Sequence, residues 1–395
     1  MRHSLFLVAA TLLAGASAMA QTTHFALAYD SDNSTVVYTD DGRRFDLDGK
    51  VLNLGMDRQT VWTLTTGAKN YLYNNMAFND FRVYKNDARV KTYKGDDDER
   101  YFSMAMRVND GHVIIAGSKV SAFNSKGFEA CLFGEVDFEE IFETEEVRKS
   151  LKRENFRGFS SLSAGKTTVP EYDEDGTYTL SLYYGVKDVD YYKGNIYASG
   201  WGEREYTMMY GTKHYFVRRC PRVWKNGKEE IRQAENQTGA AYSINVVNVG
   251  GKKRVLTSGH IRGKGSAWDG SNLIYTYPIG KFAVDKEAVI ARGSIIYRCG
   301  LANRDHLFLV GQTNNKSGAE MKMLDSIDYG SFFFFDVVAD PDNMDFYLLA
   351  RSARSHDVEV WRLHCTGTSL GAPQKVYTFR LNESAESYKL AISRY

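Results

Sequence analysis

The sequence predicts an all-β chain folded as a β-propeller, and three observations carry that prediction. A segment recurs: Arg82-Val83-Tyr84-Lys85-Asn86 returns as Arg222-Val223-Trp224-Lys225-Asn226-Gly227, each copy following a run that closes in small residues and Gly, at 60–67 and 195–200. Strand–loop–strand–turn units repeated at this scale stack as similar sheets. The composition fits: 5 Pro against 34 Gly, 26 Tyr and 22 Phe suits many strands joined by Gly-bearing turns. The third observation is a tight polar turn followed by a short apolar strand and a small residue, spaced at intervals in the range of propeller blades.

From the N-terminus, residues 1–20 read as a signal peptide. Arg2 precedes the apolar run 5–16, and Ala18-Met19-Ala20 places small residues where a signal peptidase reads. No Cys follows for lipid attachment, so the chain is expected to be exported, to the periplasm or the cell surface, with 21–395 as one propeller domain. Residues 25–29, 36–38 and 44–47 then read as three strands lacking an innermost partner. The polar turns Asn109-Asp110-Gly111, Lys193-Gly194, Gly250-Gly251, Asn303-Arg304-Asp305 and Asp342-Asn343 each lead into an apolar strand, and read as hairpins joining strands a and b of successive blades. The Arg-Val-aromatic-Lys-Asn segments become strand c and the turn toward d, where Asn and Gly tolerate positive φ.

One interval is longer. Asp137 and Glu140 suit a capping box, and Glu145 and Lys149 an i,i+4 pair, so 137–153 reads as an inserted helix and 164–176 as a loop of the same insertion, at about 137–176. Residues 388–393 form a lone strand at the other end, able to complete the N-terminal blade and close the ring. The count is about seven blades, or eight if 155–185 forms its own. Cys131, Cys220 and Cys365 fall in or beside third strands and Cys299 on an inner strand, so four free thiols are expected.

With Ile196–Gly200 and Val223–Gly227 in view, most of 24–395 resembles secreted β-propeller proteins of host-associated anaerobic bacteria, whose blades carry a vY-a-G … vWkNG pattern. Many of them have no assigned activity, so the resemblance implies a fold and a location.

Arg2 is the only Lys, Arg, Asp or Glu in the first twenty residues, so the mature chain carries 49 cationic and 49 acidic side chains. That balance argues against nucleic-acid binding. No later apolar run approaches the ~18 residues of a membrane span. A monomer is expected.

Candidate ligand-binding residues lie in the b–c connections, which read as long and aromatic: Tyr71 and Tyr73 in one, Trp201, Arg204, Tyr206 and Tyr210 in another, Arg262 and Trp268 in a third. Aromatic and charged side chains on a concave face suit a glycan or protein ligand. The alternative is that they pack the loops onto the ring. Glu203 with Glu205, and Asp188 with Asp190, alternate along extended segments and read as solvated acids. Asp96-Asp97-Asp98-Glu99 lacks the Gly and distal Glu of an EF-hand. His112 and His306 both read as the start of a b strand, a structural position. No zinc motif, nucleophile triad, P-loop or dinucleotide fingerprint is present, so neither cofactor nor metal is expected. An exported, non-enzymatic binding propeller is the leading reading. A carbohydrate-active hydrolase or lyase, and a scaffold subunit of an envelope complex, are the alternatives.

Overall fold

The structure, a computed structural model, describes residues 22–395 apart from 33, 68, 73–74, 79, 95–98, 110, 122–130, 136–166, 171–176, 181–183, 211, 227, 235–236, 278–283, 304–306, 329–331 and 368. The described residues form strands and turns only. The segment 1–20, read as a signal peptide, and the helix expected at 137–153 lie outside them. No helix among the described residues is long and apolar enough to cross a membrane.

The chain opens with β1 (Thr23–Ser31), β2 (Ser34–Thr39) and β3 (Arg44–Asp48). Next come β4 (Lys50–Asp57) and β5 (Thr60–Thr66), then a hairpin, β6 (Lys69–Leu72) and β7 (Asn75–Phe78), inserted before β8 (Asp80–Lys85) and β9 (Ala88–Lys94), which complete the β4 blade. A three-stranded run follows, β10 (Glu99–Asn109), β11 (His112–Ser121) and β12 (Cys131–Glu135), and β7 reaches it at Phe78–Tyr101. β13 (Thr167–Pro170) pairs with β14 (Thr177–Leu180), so part of the segment expected as a loop, 164–176, is a strand.

Regular four-stranded blades resume with β15 (Tyr184–Tyr192), β16 (Asn195–Tyr210), β17 (Thr212–Lys225) and β18 (Lys228–Arg232). The next holds β19 (Gly239–Val249), β20 (Lys252–Ile261), β21 (Lys264–Asp269) and β22 (Asn272–Thr276). After it come β23 (Lys286–Arg292), β24 (Ile295–Asn303), β25 (Leu307–Asn314) and β26 (Lys322–Asp328). The last holds β27 (Phe332–Asp340), β28 (Asp345–Ser352), β29 (Val358–Thr366), the short β30 (Ser369–Leu370) and β31 (Gln374–Phe379). β32 (Tyr388–Arg394) returns to the start and pairs antiparallel with β1 from Tyr29–Tyr388 to Thr23–Arg394.

Six blades are complete among the described residues, against the seven or eight expected. The β10 sheet shows no outer fourth strand there, and the described residues between 155 and 180 form the β13–β14 pair. Around the axis β32, β4, β10, β15, β19, β23 and β27 pack each against the next. Apolar side chains from facing sheets fill the space between them, as where Ile290, Cys299 and Val310 meet Val337, Phe346 and Leu363.

The recurring pentapeptide has a physical explanation. Asn86 and Asn226 stand at φ 54° and 47°, in the left-handed region that Asn tolerates. Each accepts, through its side-chain oxygen, a hydrogen bond from strand b: Val61 N to Asn86 at 3.0 Å, Ile196 N to Asn226 at 2.9 Å. Each turn is thereby tied to the blade's second strand. Asn226→Ala should lower unfolding free energy by about 1–2 kcal/mol, the sum of a lost hydrogen bond and a left-handed alanine. Asn226→Gly, which keeps the backbone freedom, should lose less, as measured by urea denaturation. Equal losses would remove the backbone part of this explanation.

The small-residue endings of strand b also have a cause. The β15 strand bulges between Val186 and Asp188, and the β19 strand between Ala241 and Ser243. Opposite these bulges stand Gly200 and Gly259, where an added Cβ would run into the carbonyls of Gly185 and Ala240. Only glycine fits there.

Two readings need correction. Asn303-Arg304-Asp305 separates β24 from β25, the second and third strands of its blade, so it is a b–c connection. The a–b turn there is Gly293–Ser294, with Gly293 at φ 60°. Polar turns followed by apolar strands occur at both ends of a blade, so this pattern alone does not distinguish an a–b turn from a b–c connection. Cys299 accordingly lies on a second strand, and residue 306 precedes a c strand, so it does not share the position of His112. Cys220, Cys299 and Cys365 are buried and form no disulfide among the described residues. Cys299 and Cys365 nonetheless share one core, although separation between blades was the expectation. Burial, and then each other's company, raises the Cys299 thiol well above its ordinary range.

Candidate functional site

The axial channel is lined by the inner strands, and their sequences explain its chemistry. The β4, β10, β15, β19 and β27 strands each bulge at the same place. The residue after the bulge is polar every time: Asn53, Ser103, Asp188, Ser243 and Asp336. A bulge re-aims its residue. At four of these positions the side chain bonds the next inner strand. Asn53 accepts from Met106 N at 3.2 Å, Asp188 from Ile244 N at 3.0 Å and Asp336 from Leu390 N at 2.8 Å, while Ser243 donates to Glu287 O at 3.1 Å. Asp190, two residues on, accepts from Val246 N at 2.6 Å. These side chains latch neighbouring strands around the axis.

Asp188 and Asp190 are therefore not solvated acids. Asp190 is buried, and burial raises its carboxyl pKa, against the opposing pull of Arg107 and of two backbone donors. Arg107 Nε lies 3.3 Å from Asp190, and its terminal nitrogens donate to Ile244 O at 2.9 Å and Asn245 Oδ1 at 3.0 Å. Burial works against its charge, but Asp190 and Asp188 outweigh this and raise its pKa. Lys286 pairs with the buried carboxylate of Asp336.

Two cavities occupy the channel and share Asn53, Asp188 and Lys286 as a common girdle. The one toward the a–b turns is about 400 Å³ and holds Arg107, Asp190 and Asn245 above aliphatic walls. The other, about 450 Å³, sits at the strand ends that face the b–c connections. Lys187, Tyr242, Asp285, Phe335, Tyr388 and Lys389 stand on its wall. Phe335 and Tyr388 meet at 4.6 Å between ring centroids, and Lys187 Nζ lies 5.8 Å from the Tyr242 ring. Lys187 and Asp285 reach solvent, so this cavity is a vestibule. Burial, with Asp285 beside it, raises the Tyr242 phenol.

The structure distributes the residues singled out from sequence. Trp268 is fully buried on β21 and Trp201 is 5 % exposed, so neither offers a free face to a ligand. Trp201 stands over Gly185 with the Arg219 guanidinium 4.2 Å from its ring. The b–c connection holding Arg262 is a two-residue turn, Arg262–Gly263, with Arg262 exposed at φ 51°. Tyr71 lies on β6 opposite Met76, and Tyr73 is outside the described residues. Arg204, Tyr206 and Tyr210 sit on a hairpin rather than a loop: β16 and β17 pair in unbroken register from Tyr197–Lys225 to Tyr210–Thr212. By that register these three positions share one face, opposite the face of Trp201. In the β4 and β15 blades the long b–c connections are built as hairpins. The vestibule was missed because its residues lie inside apolar inner strands. The usable signal was the polar residue recurring at one position of those strands.

Comparison with protein-family models and with curated proteins gives no match to this sequence. Solved structures similar to the chain include the β-propeller domain of the Trilobed protease from Pyrococcus furiosus, at 10 % identity and a TM-score of 0.39, covering 89 % of this chain and 93 % of that one. A putative 6-phosphogluconolactonase from Bacteroides fragilis matches at 10 % identity and 0.41, over 95 % and 99 %. The dihydro-heme d1 dehydrogenase NirN matches at 8 % and 0.43, over 90 % and 75 %. At such identities and scores the likeness carries no argument about activity. The observed strand topology identifies the chain as a β-propeller.

Proposed function

We propose that the chain is an exported, non-enzymatic binding propeller that takes its ligand, a carbohydrate or a protein segment, at the b–c end of the axial channel. The observation that carries this reading is the vestibule of about 450 Å³, walled by Tyr242, Phe335 and Tyr388 with Lys187 and Asp285 at hand. Its size and its mixture of aromatic and polar groups suit a small polar ligand or the end of a chain. Export rests on the signal-peptide pattern of 1–20 and on the resemblance to secreted propellers. In this reading the β10 sheet stands as a seventh blade and the protein is a monomer. Arg204, Tyr206 and Tyr210 on the hairpin face, with Tyr71, are outlying contacts for a longer ligand.

A hydrolase or lyase is the second reading, because Asp188, Asp285 and Glu386 all line the vestibule. Against it, both oxygens of Asp188 already accept backbone hydrogen bonds, from Val189 N on one side and from Ile244 N on the other. That leaves it placed as a latch rather than as an acid or nucleophile. A glycan, polysaccharide and peptide binding screen on residues 21–395 separates the readings. Binding without product release is expected, weakened at least ten-fold by Tyr242→Leu in a variant whose melting curve is retained. Turnover of any bound glycan would favour the enzyme. Loss of binding on Tyr206→Ser alone would move the site to the hairpin.

A further inference from the structure

Resting on the b–c end as the ligand site, we infer that the vestibule selects an acidic sugar, with the ligand's anionic group held by Lys187 and its ring against Tyr242. The cations of the channel differ in how they are used. Arg107 is committed to Asp188 and Asp190, and Lys286 to Asp336. Lys187 has no carboxylate partner among the described residues; its ammonium stands over the Tyr242 ring at 5.8 Å. It follows directly on Val186, at the bulge that also aims Asp188 at the axis. The lysine is therefore carried to the vestibule wall by the same backbone irregularity that builds the latch.

A second cation reinforces it. Arg219, held over Trp201, is near enough that its charge acts on Lys187. Partial burial first, and Arg219 second, lower the Lys187 pKa. An anionic ligand would offset the Arg219 charge. Aromatic faces on the same wall system, Tyr242 on one strand and the Phe335–Tyr388 pair on others, supply surfaces for a sugar ring. A neutral sugar would use the rings and leave Lys187 unpaired. A bare inorganic anion would use Lys187 and leave the rings bare.

Isothermal titration of residues 21–395 with trigalacturonate, with its fully methyl-esterified form and with inorganic sulfate tests this. The expected result is acid binding at least ten-fold tighter than ester, with Lys187→Gln abolishing that preference and Lys187→Arg keeping it. Equal affinity for acid and ester, or an unchanged preference in Lys187→Gln, overturns the inference while leaving carbohydrate binding in place. Binding of sulfate alone overturns the acidic-sugar assignment. Binding of none of the three overturns this inference and the carbohydrate form of the proposed function together.

Discussion

Deleting residues 388–395 should unfold the ring rather than trim it. β32 is the innermost strand of a blade whose other strands come from the opposite end of the chain, paired with β1 along its length. Tyr388 and Leu390 are buried among Leu27, Tyr29, Leu349 and Val360, so the strand also seals the seam against the β27 blade. Two large side chains leaving that core cost about 1.5–3 kcal/mol each. The lost ladder exposes the β1 edge, and the Leu390 N donor to Asp336 disappears, leaving a buried carboxylate with less support. The total loss should exceed about 5 kcal/mol, a large share of a typical domain's stability. The truncated chain should aggregate or lose its cooperative melt, and a synthetic peptide spanning 386–395 should restore it in trans. A truncated monomer melting within about 2 °C of the full chain, a shift worth only ~1–2 kcal/mol at this length, would contradict closure by this strand.

Arg298→Met should destabilise the protein by about 3–5 kcal/mol. Arg298 and Glu287 are both fully buried, with Nε and Nη2 donating to the carboxylate at 2.9 and 2.7 Å. The same guanidinium donates to Thr257 O at 2.7 Å and Trp268 O at 3.1 Å, so it ties the β23 blade to the β19 blade. Removing it strands a buried carboxylate and two carbonyls, which is why breaking such a pair costs more than never having it. The double variant Arg298→Met with Glu287→Leu should recover part of the loss, because no buried charge remains. Urea denaturation measures both. A single variant within about 1 kcal/mol of the parent, or a double variant worse than the sum of the singles, would contradict this role.

What was legible in the sequence follows the range of the interactions. The Asn226 turn, the hairpin at Lys193-Gly194 and the lone strand near 388–393 are set by local backbone chemistry, and the structure places all three as read. Trp268 was misread because Gly263, Gly265 and Gly270 make its neighbourhood look like a loop; a two-residue turn and a short strand instead bury the ring. Arg204, Tyr206 and Tyr210 also looked like loop residues, since strand continuation past Trp201 depends on register with β17. Asp188, Asp190 and Asp336 were the hardest to interpret. A polar residue within an apolar strand usually marks a solvent face, and only the bulge and the adjoining blade reveal a buried latch. The vestibule exists only after the ring closes, and the polar residue recurring in the inner strands is the one trace of it along the chain.

A crystal structure of residues 21–395 soaked with trigalacturonate would show whether ligand enters the axis on the b–c side. A sugar ring against Tyr242 with its carboxylate about 3 Å from Lys187 Nζ is the predicted result. Sugar bound along the hairpin at Arg204 and Tyr206, with the channel holding only water, would contradict it.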